Sequence, residues 1–106
     1  MYAVIFKATI KTLDDTYLST ASRLRERAIG TYGCLEFTAC TEGNQEIAIS
    51  YWKTLDQIRA WKQDPEHLAA QTLGRTKWYS SYQVQIAKVE REYTHGVTAS
   101  GTQPIK

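Results

Sequence analysis

The sequence predicts an α+β fold whose elements follow the order strand, helix, strand, strand, helix, strand. Four segments alternate along the chain with the period of two that is typical of β-strands. Two helical stretches separate them, and Gly43-Asn44 indicates a hairpin loop between the second and third strands. Because right-handed crossovers place strands one and three side by side, we expect a four-stranded antiparallel sheet with its helices on one face.

The first strand is predicted at 2–10, and the first helix follows it closely. Large side chains lie on one face of this strand, and Lys7 turns the other face polar. Helix-start residues at 12–15 precede an amphipathic stripe. The stripe consists of Tyr17, Ala21, Leu24 and Ala28. Gly30 and Gly33 are expected to end this helix.

The second and third strands are predicted at 34–40 and 46–52 and pair antiparallel through the hairpin. The third strand is apolar on both faces, since Ile47, Ile49 and Tyr51 alternate with Ala48, Ser50 and Trp52. Cys34 and Cys40 lie in one predicted strand, roughly 20 Å apart by strand rise. They therefore cannot bridge each other, and we interpret both as reduced thiols.

A helix in two parts follows the third strand directly. Thr54 begins the first part and has the capping-box spacing to Gln57. The apolar stripe of this part is Leu55, Ile58 and Trp61. Asp64 caps the second part, and Pro65 takes its first position, where a missing N–H costs nothing. This second part is expected to end at about Gly74 or a little beyond.

The last strand is predicted at 79–89, and residues 1–92 form the single domain for which 106 residues have room. Residues 93–106 contain Gly, Pro, Ser and Thr without periodicity and are expected to form a flexible C-terminal tail. Strands one and three are apolar on both faces, and a bare apolar patch on the order of several hundred Å² is unusual on a monomer. We therefore expect a homodimer whose sheets pair face to face.

The composition is that of an ordinary globular protein, with 42% apolar and 23% charged residues. No apolar run approaches the roughly 20 residues of a membrane span. Lys7 interrupts the pattern of a secretory leader, so we expect a cytoplasmic protein without a membrane partner. A net charge of +2 without a concentrated basic patch argues against nucleic acid as a partner.

The candidate site residues surround the broken helix. Trp61 ends its first part and His67 lies in the first turn of the second, so short connections hold an aromatic ring near a group that titrates close to neutral pH. Further candidates for the wall of a substrate pocket are Trp52, Trp78, Tyr79 and Arg75.

Each candidate also has an interpretation that needs no ligand. Trp61 continues the apolar stripe and packs in a core, while His67 serves a local hydrogen bond near the helix start. Trp78 and Tyr79 anchor the last strand or a dimer seam, and Arg75 caps carbonyl groups at a helix end. The sequence leaves these alternatives open.

Cofactor motifs are missing from the sequence. It contains no glycine-rich loop of the kind that cradles nucleotide or flavin phosphates. His67 has Gln71 rather than a metal ligand four residues on, and His95 belongs to the predicted tail. We therefore expect neither an organic cofactor nor a metal.

The run at 49–79 resembles the core of the antibiotic biosynthesis monooxygenase family. Its most specific parts are the aromatic-Trp-x-Thr-Leu-Asp pattern at 51–56 and Trp61 with His67 six residues on. The resemblance implies a ferredoxin-like fold that forms a dimeric α+β barrel, and oxidation of a small aromatic phenol or quinol by molecular oxygen without a cofactor. It also implies that Trp61 stacks on the substrate and that His67 is the base or a hydrogen-bond partner.

Two alternatives remain beside this hypothesis. A haem-degrading branch of the same family resembles the chain less, because it uses an Asn in the first strand and a His where Gln71 stands here. Haem binding or degradation is therefore the second hypothesis. The third is a non-catalytic dimer that binds a ligand without turning it over.

Overall fold

The computed structural model describes residues 1–96 and shows the predicted α+β fold with a four-stranded antiparallel sheet. Its elements are β1 (Tyr2–Ile10), α1 (Asp15–Thr31), β2 (Glu36–Glu42), β3 (Gln45–Trp52), α2 (Leu55–Lys62), α3 (Pro65–Leu73), a π-helical turn (Gly74–Trp78) and β4 (Tyr79–Lys88). Most of the predicted tail, 97–106, lies outside the described residues. Within residues 1–96, no helix has the length and apolarity needed to cross a membrane.

The sheet has the strand order β2-β3-β1-β4, which confirms that strands one and three lie at its centre. In the register, Val4 of β1 lies opposite Ser50 of β3 and Ile86 of β4. Side chains alternate along each strand, so these three share the face toward the helices. Within residues 1–96 no helix covers the opposite face, which carries Ile5, Ile47, Ile49 and Tyr51, of which Ile47 is 43% exposed.

Polar caps fix the helix starts as the sequence predicts. The Thr54 hydroxyl accepts from the backbone N–H of Gln57, whose side chain accepts from the Thr54 N–H in return. Asp64 is the N-cap of α3 and Pro65 occupies its first turn. Since these caps satisfy N–H groups that have no partner inside a helix, they define where each helix begins.

Two predicted boundaries are corrected by the structure, and a third is confirmed. α1 continues through Gly30, and the chain turns only at Gly33, whose φ is +82°. β2 begins at Glu36, so Cys34 precedes the strand and is buried in the core instead. The helix after Asp64 ends as predicted, since α3 stops at Leu73 with Gly74 as its C-cap, and the π-helical turn then leads to β4.

The core consists of two clusters between the sheet and the helices. One contains Ala28, Cys34, Trp52, Ile58 and Trp61, and the other contains Tyr17, Ala70 and Trp78. Leu24 of α1 packs against both clusters. The candidate site lies in the same layer as this core.

Candidate functional site

A cavity of about 580 Å³ lies between the helices and the helix-facing side of the sheet. Val4, Phe6 and Ala48 contribute to its floor, and Leu24 and Trp61 contribute to the helical side. Its volume is in the range of small-molecule sites, which are mostly apolar with a few polar groups. The cavity can therefore take an organic ligand the size of a small aromatic compound.

Trp61 and His67 both line this cavity and contact each other. The imidazole of His67 stacks on the indole with ring centroids 4.2 Å apart and an interplanar angle of 20°. Nδ1 of His67 lies 3.1 Å from the carbonyl oxygen of Trp61. A carbonyl only accepts, so Nδ1 carries the hydrogen and Nε2 is left with a lone pair. Burial lowers the pKa of His67, so the ring is neutral at neutral pH and can accept a proton.

The packing around Trp61 conflicts with the stacking role that the resemblance implied. Besides His67, the indole contacts Trp52 in a stacked arrangement at 6.3 Å and Tyr32 in a tilted one at 5.5 Å. These rings take up the space that a stacked substrate would need, and Trp61 is only 5% exposed. Trp61 is therefore part of the core and, at the cavity, part of the wall.

A buried ionic network holds the backbone that carries His67. Asp64 is 1% exposed and accepts hydrogen bonds from the backbone N–H groups of Glu66 and His67. Its other oxygen accepts from the Arg27 guanidinium and from the Tyr32 hydroxyl, the latter at 2.7 Å. The Arg27 guanidinium, with these hydrogen bonds, keeps the pKa of Asp64 well below its usual range. The start of α3 is thus fixed to the end of α1.

Trp52 and Arg75 do not line the cavity, contrary to their predicted roles. Trp52 is completely buried, and its Nε1 donates to Ser50 Oγ at 2.8 Å, which makes it a core residue. The Arg75 guanidinium lies at the surface beside Tyr82 Oη and Thr72 Oγ1, at 3.4 Å from each. Neither a bound anion nor a helix-end carbonyl is needed to explain that position.

Trp78 and Tyr79 both line the cavity. Trp78 is buried at the end of the π-helical turn, where its Nε1 donates to Asp14 at 3.2 Å. Tyr79 starts β4 and directs its hydroxyl toward Glu46. The π-helical turn therefore brings both aromatic side chains to one end of the cavity.

A buried carboxylate at this end was not predicted from the sequence. Glu46 is 8% exposed, and its two oxygens accept from the hydroxyls of Tyr17 and Tyr79, the latter at 2.9 Å. Burial, with the charge of Glu46, raises the pKa of both tyrosines, so they remain neutral donors. The one available signal was that Glu46 shares its strand face with Ala48, Ser50 and Trp52. Its partners are 29 and 33 residues away and have no local signature.

No metal site is found in the part of the chain that the structure describes, where no group of three or more His, Cys, Asp or Glu side chains could hold an ion. The polar groups that line the cavity include one neutral imidazole, one carboxylate, hydroxyl groups and the side chains of Lys62 and Gln71. Such a set can bind a hydrogen-bond donor and accept a proton.

The chain is 39% identical over 92 residues to the uncharacterised protein YqjZ of Bacillus subtilis (strain 168), which covers 86% of this chain and 81% of YqjZ. No family model matches the sequence.

Solved structures with the same fold include SnoaB, a cofactor-independent oxygenase from Streptomyces nogalater, with a TM-score of 0.71, 17% identity, and coverage of 86% of this chain and 94% of SnoaB. A putative antibiotic biosynthesis monooxygenase from Nitrosomonas europaea has a TM-score of 0.70 and 18% identity, over 84% of this chain and 89% of the other. At these identities the likeness shows the fold, and it confirms the ferredoxin-like α+β fold of the single chain that the resemblance implied.

Proposed function

The chain belongs to the same family as Bacillus subtilis YqjZ, and from its fold and its cavity we propose a cofactor-independent monooxygenase acting on a small aromatic phenol or quinol. The observation that carries the proposal is a neutral His67 in the wall of an aromatic cavity of about 580 Å³. SnoaB, which has the same fold, is a cofactor-independent oxygenase. Molecular oxygen is the second substrate.

In the proposed reaction Nε2 of His67 accepts the phenolic proton. The phenolate is electron-rich enough to transfer electrons to oxygen directly, while the apolar walls exclude water from the intermediate. The reaction balances for a substrate in which one carbon loses two hydrogens. One atom of the oxygen molecule becomes the carbonyl oxygen at that carbon, and the other leaves as water with the two hydrogens. All four electrons come from the substrate, so no further reductant is required.

Oxygen uptake tests the proposal. Naphthoquinols and anthrones are offered with a chelator present, autoxidation is subtracted, and incorporation of labelled oxygen is followed by mass spectrometry. We expect uptake above autoxidation, and a fall of about 100-fold in His67→Ala, the lower range for loss of a general base. His95→Ala is the matched control, since His95 is the other histidine and is exposed.

The outcomes separate the hypotheses. Equal rates in wild type and His67→Ala would remove His67 from the mechanism. Tight binding of these compounds without uptake would favour the non-catalytic dimer. A Soret shift of added haemin that depends on His67 would favour the haem hypothesis instead.

We also propose a homodimer in the cytoplasm. The helix-free sheet face carries Ile5, Ile47 and Ile49, an apolar surface that a second copy could cover. Cys34 and Cys40 are both free thiols, which suits a reducing compartment.

A further inference from the structure

The end of the cavity at Glu46 has a buried carboxyl group without a cationic partner among the described residues. In residues 1–96, no Lys, Arg or His nitrogen lies within ion-pair distance of this carboxylate. Asp64, the other acidic side chain that is almost fully buried, is paired with Arg27. A buried carboxylate without a counter-ion is costly, so Glu46 differs from Asp64 in a way that calls for a partner.

The hydrogen bonds of Glu46 leave room for one more donor. An ionised carboxylate has about four acceptor positions. Oε1 accepts from Tyr17 and lies 3.5 Å from Thr41 Oγ1, while Oε2 accepts from Tyr79 alone. Glu46 is itself one of the residues that line the cavity. The open position therefore belongs to Oε2, in reach of a ligand.

Tyr17 and Tyr79 contact this carboxylate through their hydroxyls, and three further aromatic rings pack against these two tyrosines. The Tyr79 ring lies 5.4 Å from Phe6, Phe6 lies 5.6 Å from Tyr82, and Tyr17 meets Trp78 edge-on at 5.1 Å. All five side chains line the cavity. The faces of such rings attract cations, and most strongly where water is excluded.

The rest of the cavity wall does not supply the missing charge. Among the described residues that line it, Lys62 is the only one with a fixed positive charge, and His67 is neutral. Lys62 ends α2, whose Ile58 and Trp61 pack on Trp52. Trp52 and Glu46 are at opposite ends of β3, about 20 Å apart by strand rise. The two ends of the cavity thus differ in electrostatic character.

We propose that the cavity selects an organic cation, a protonated amine on an apolar body of about aromatic size, whose N–H donates to Glu46 Oε2. The rings of Phe6, Tyr17 and Tyr79 provide the cation-attracting walls. The ammonium group supplies the counter-ion that residues 1–96 do not provide at this point. This inference concerns which ligand binds, and it stands whether or not that ligand is oxidised.

The test compares three ligands that share one body: 2-naphthylmethylammonium, 2-naphthalenemethanol and 2-naphthoate. Their affinities are measured by isothermal titration calorimetry without oxygen, so that no turnover interferes. We expect the ammonium to bind at least 10-fold more tightly than the alcohol, and the carboxylate most weakly. Glu46→Gln should remove the preference for the ammonium. Glu36→Gln, which makes the same charge change on the exposed helix-free side, should keep it.

Two results would overturn the inference: an alcohol that binds wild type as tightly as the ammonium, or a preference that survives in Glu46→Gln. The comparison of the ammonium with the alcohol needs only the wild-type protein, so it tests the inference even if Glu46→Gln does not fold. The proposed oxidation is scored by oxygen uptake alone, so the failure of either proposal is recognised separately.

Discussion

At the residue scale, His67 couples protonation to stability. Burial lowers its pKa below the ordinary value of 6.5, against smaller opposing effects of the Trp61 carbonyl and Asp64, while Lys62 lowers it further. Below pH 6.5, His67 of the unfolded chain therefore binds a proton, whereas the buried imidazole of the folded chain stays neutral until a lower pH. The stability that the buried His67 contributes above this pH is lost as the pH falls toward the pKa of His67 in the folded state.

This predicts that wild type loses free energy of unfolding as the pH falls below about 6.5, and that His67→Gln flattens this part of the profile. The measurement is urea unfolding across that range. His95→Gln is the control and should leave the profile unchanged, because His95 is exposed. A slope that is the same in wild type and His67→Gln would show that His67 is not the group responsible.

Residues with local partners were predictable, and residues with distant partners were not. Asp64 could be identified as a cap because its carboxylate accepts hydrogen bonds from the backbone N–H groups of the residues two and three positions later in the chain. That the same side chain binds Arg27 and Tyr32 depends on how α1 packs against α3, which no short-range pattern encodes. Glu46 escaped notice for the same reason.

At the element scale, alternation and caps predicted every strand and helix, since both signals lie within a few residues of each boundary. The π-helical turn was missed because its sequence, Gly74–Trp78, has no distinctive period. This turn determines where the side chains of Trp78 and Tyr79 point. The sequence therefore named both residues as candidates for a pocket wall, but it did not predict the polar cluster around Tyr79.

Two glycines test the packing of these elements. Gly30 lies inside α1, and a Cβ there would meet nothing within 4 Å. Gly30→Ala should therefore raise the free energy of unfolding by about 0.5–1 kcal/mol. At Gly74 a Cβ would lie 3.1 Å from Cδ2 and Cε2 of Tyr79, a ring held by its hydrogen bond to Glu46 and by Phe6.

Gly74→Ala should consequently be less stable than Gly30→Ala and fall below wild type, because the Tyr79 ring cannot move aside freely. Urea unfolding of the two variants beside wild type measures the difference. An equal rise in the free energy of unfolding in Gly74→Ala and Gly30→Ala would mean that the Tyr79 ring moves aside. The hydrogen bonds at Glu46 would then not be a rigid feature of the fold.

At the scale of the whole molecule, the fold presents two apolar regions of different kinds. The cavity lies between the sheet and the helices, whereas the other region is the helix-free face of β1 and β3. The sequence predicted this division, because two adjacent central strands with apolar residues on both faces cannot be covered by helices on one side alone. The proposed homodimer is the simplest way to cover the second face.

Two isoleucines of nearly equal exposure allow a matched test of that dimer. Ile47 on the helix-free face is 43% exposed, and Ile29 on α1 is 46% exposed. In an isologous pair Ile47→Lys acts twice. Because 43% of Ile47 is left to be buried by a partner, the substitution removes roughly 0.6–1.3 kcal/mol of burial on each subunit, so the dissociation constant should rise by about 10-fold or more. Ile29→Lys should leave it unchanged. Sedimentation equilibrium over a range of concentrations measures both, and a wild-type chain that is monomeric throughout, or equal weakening by the two substitutions, would contradict pairing through this face.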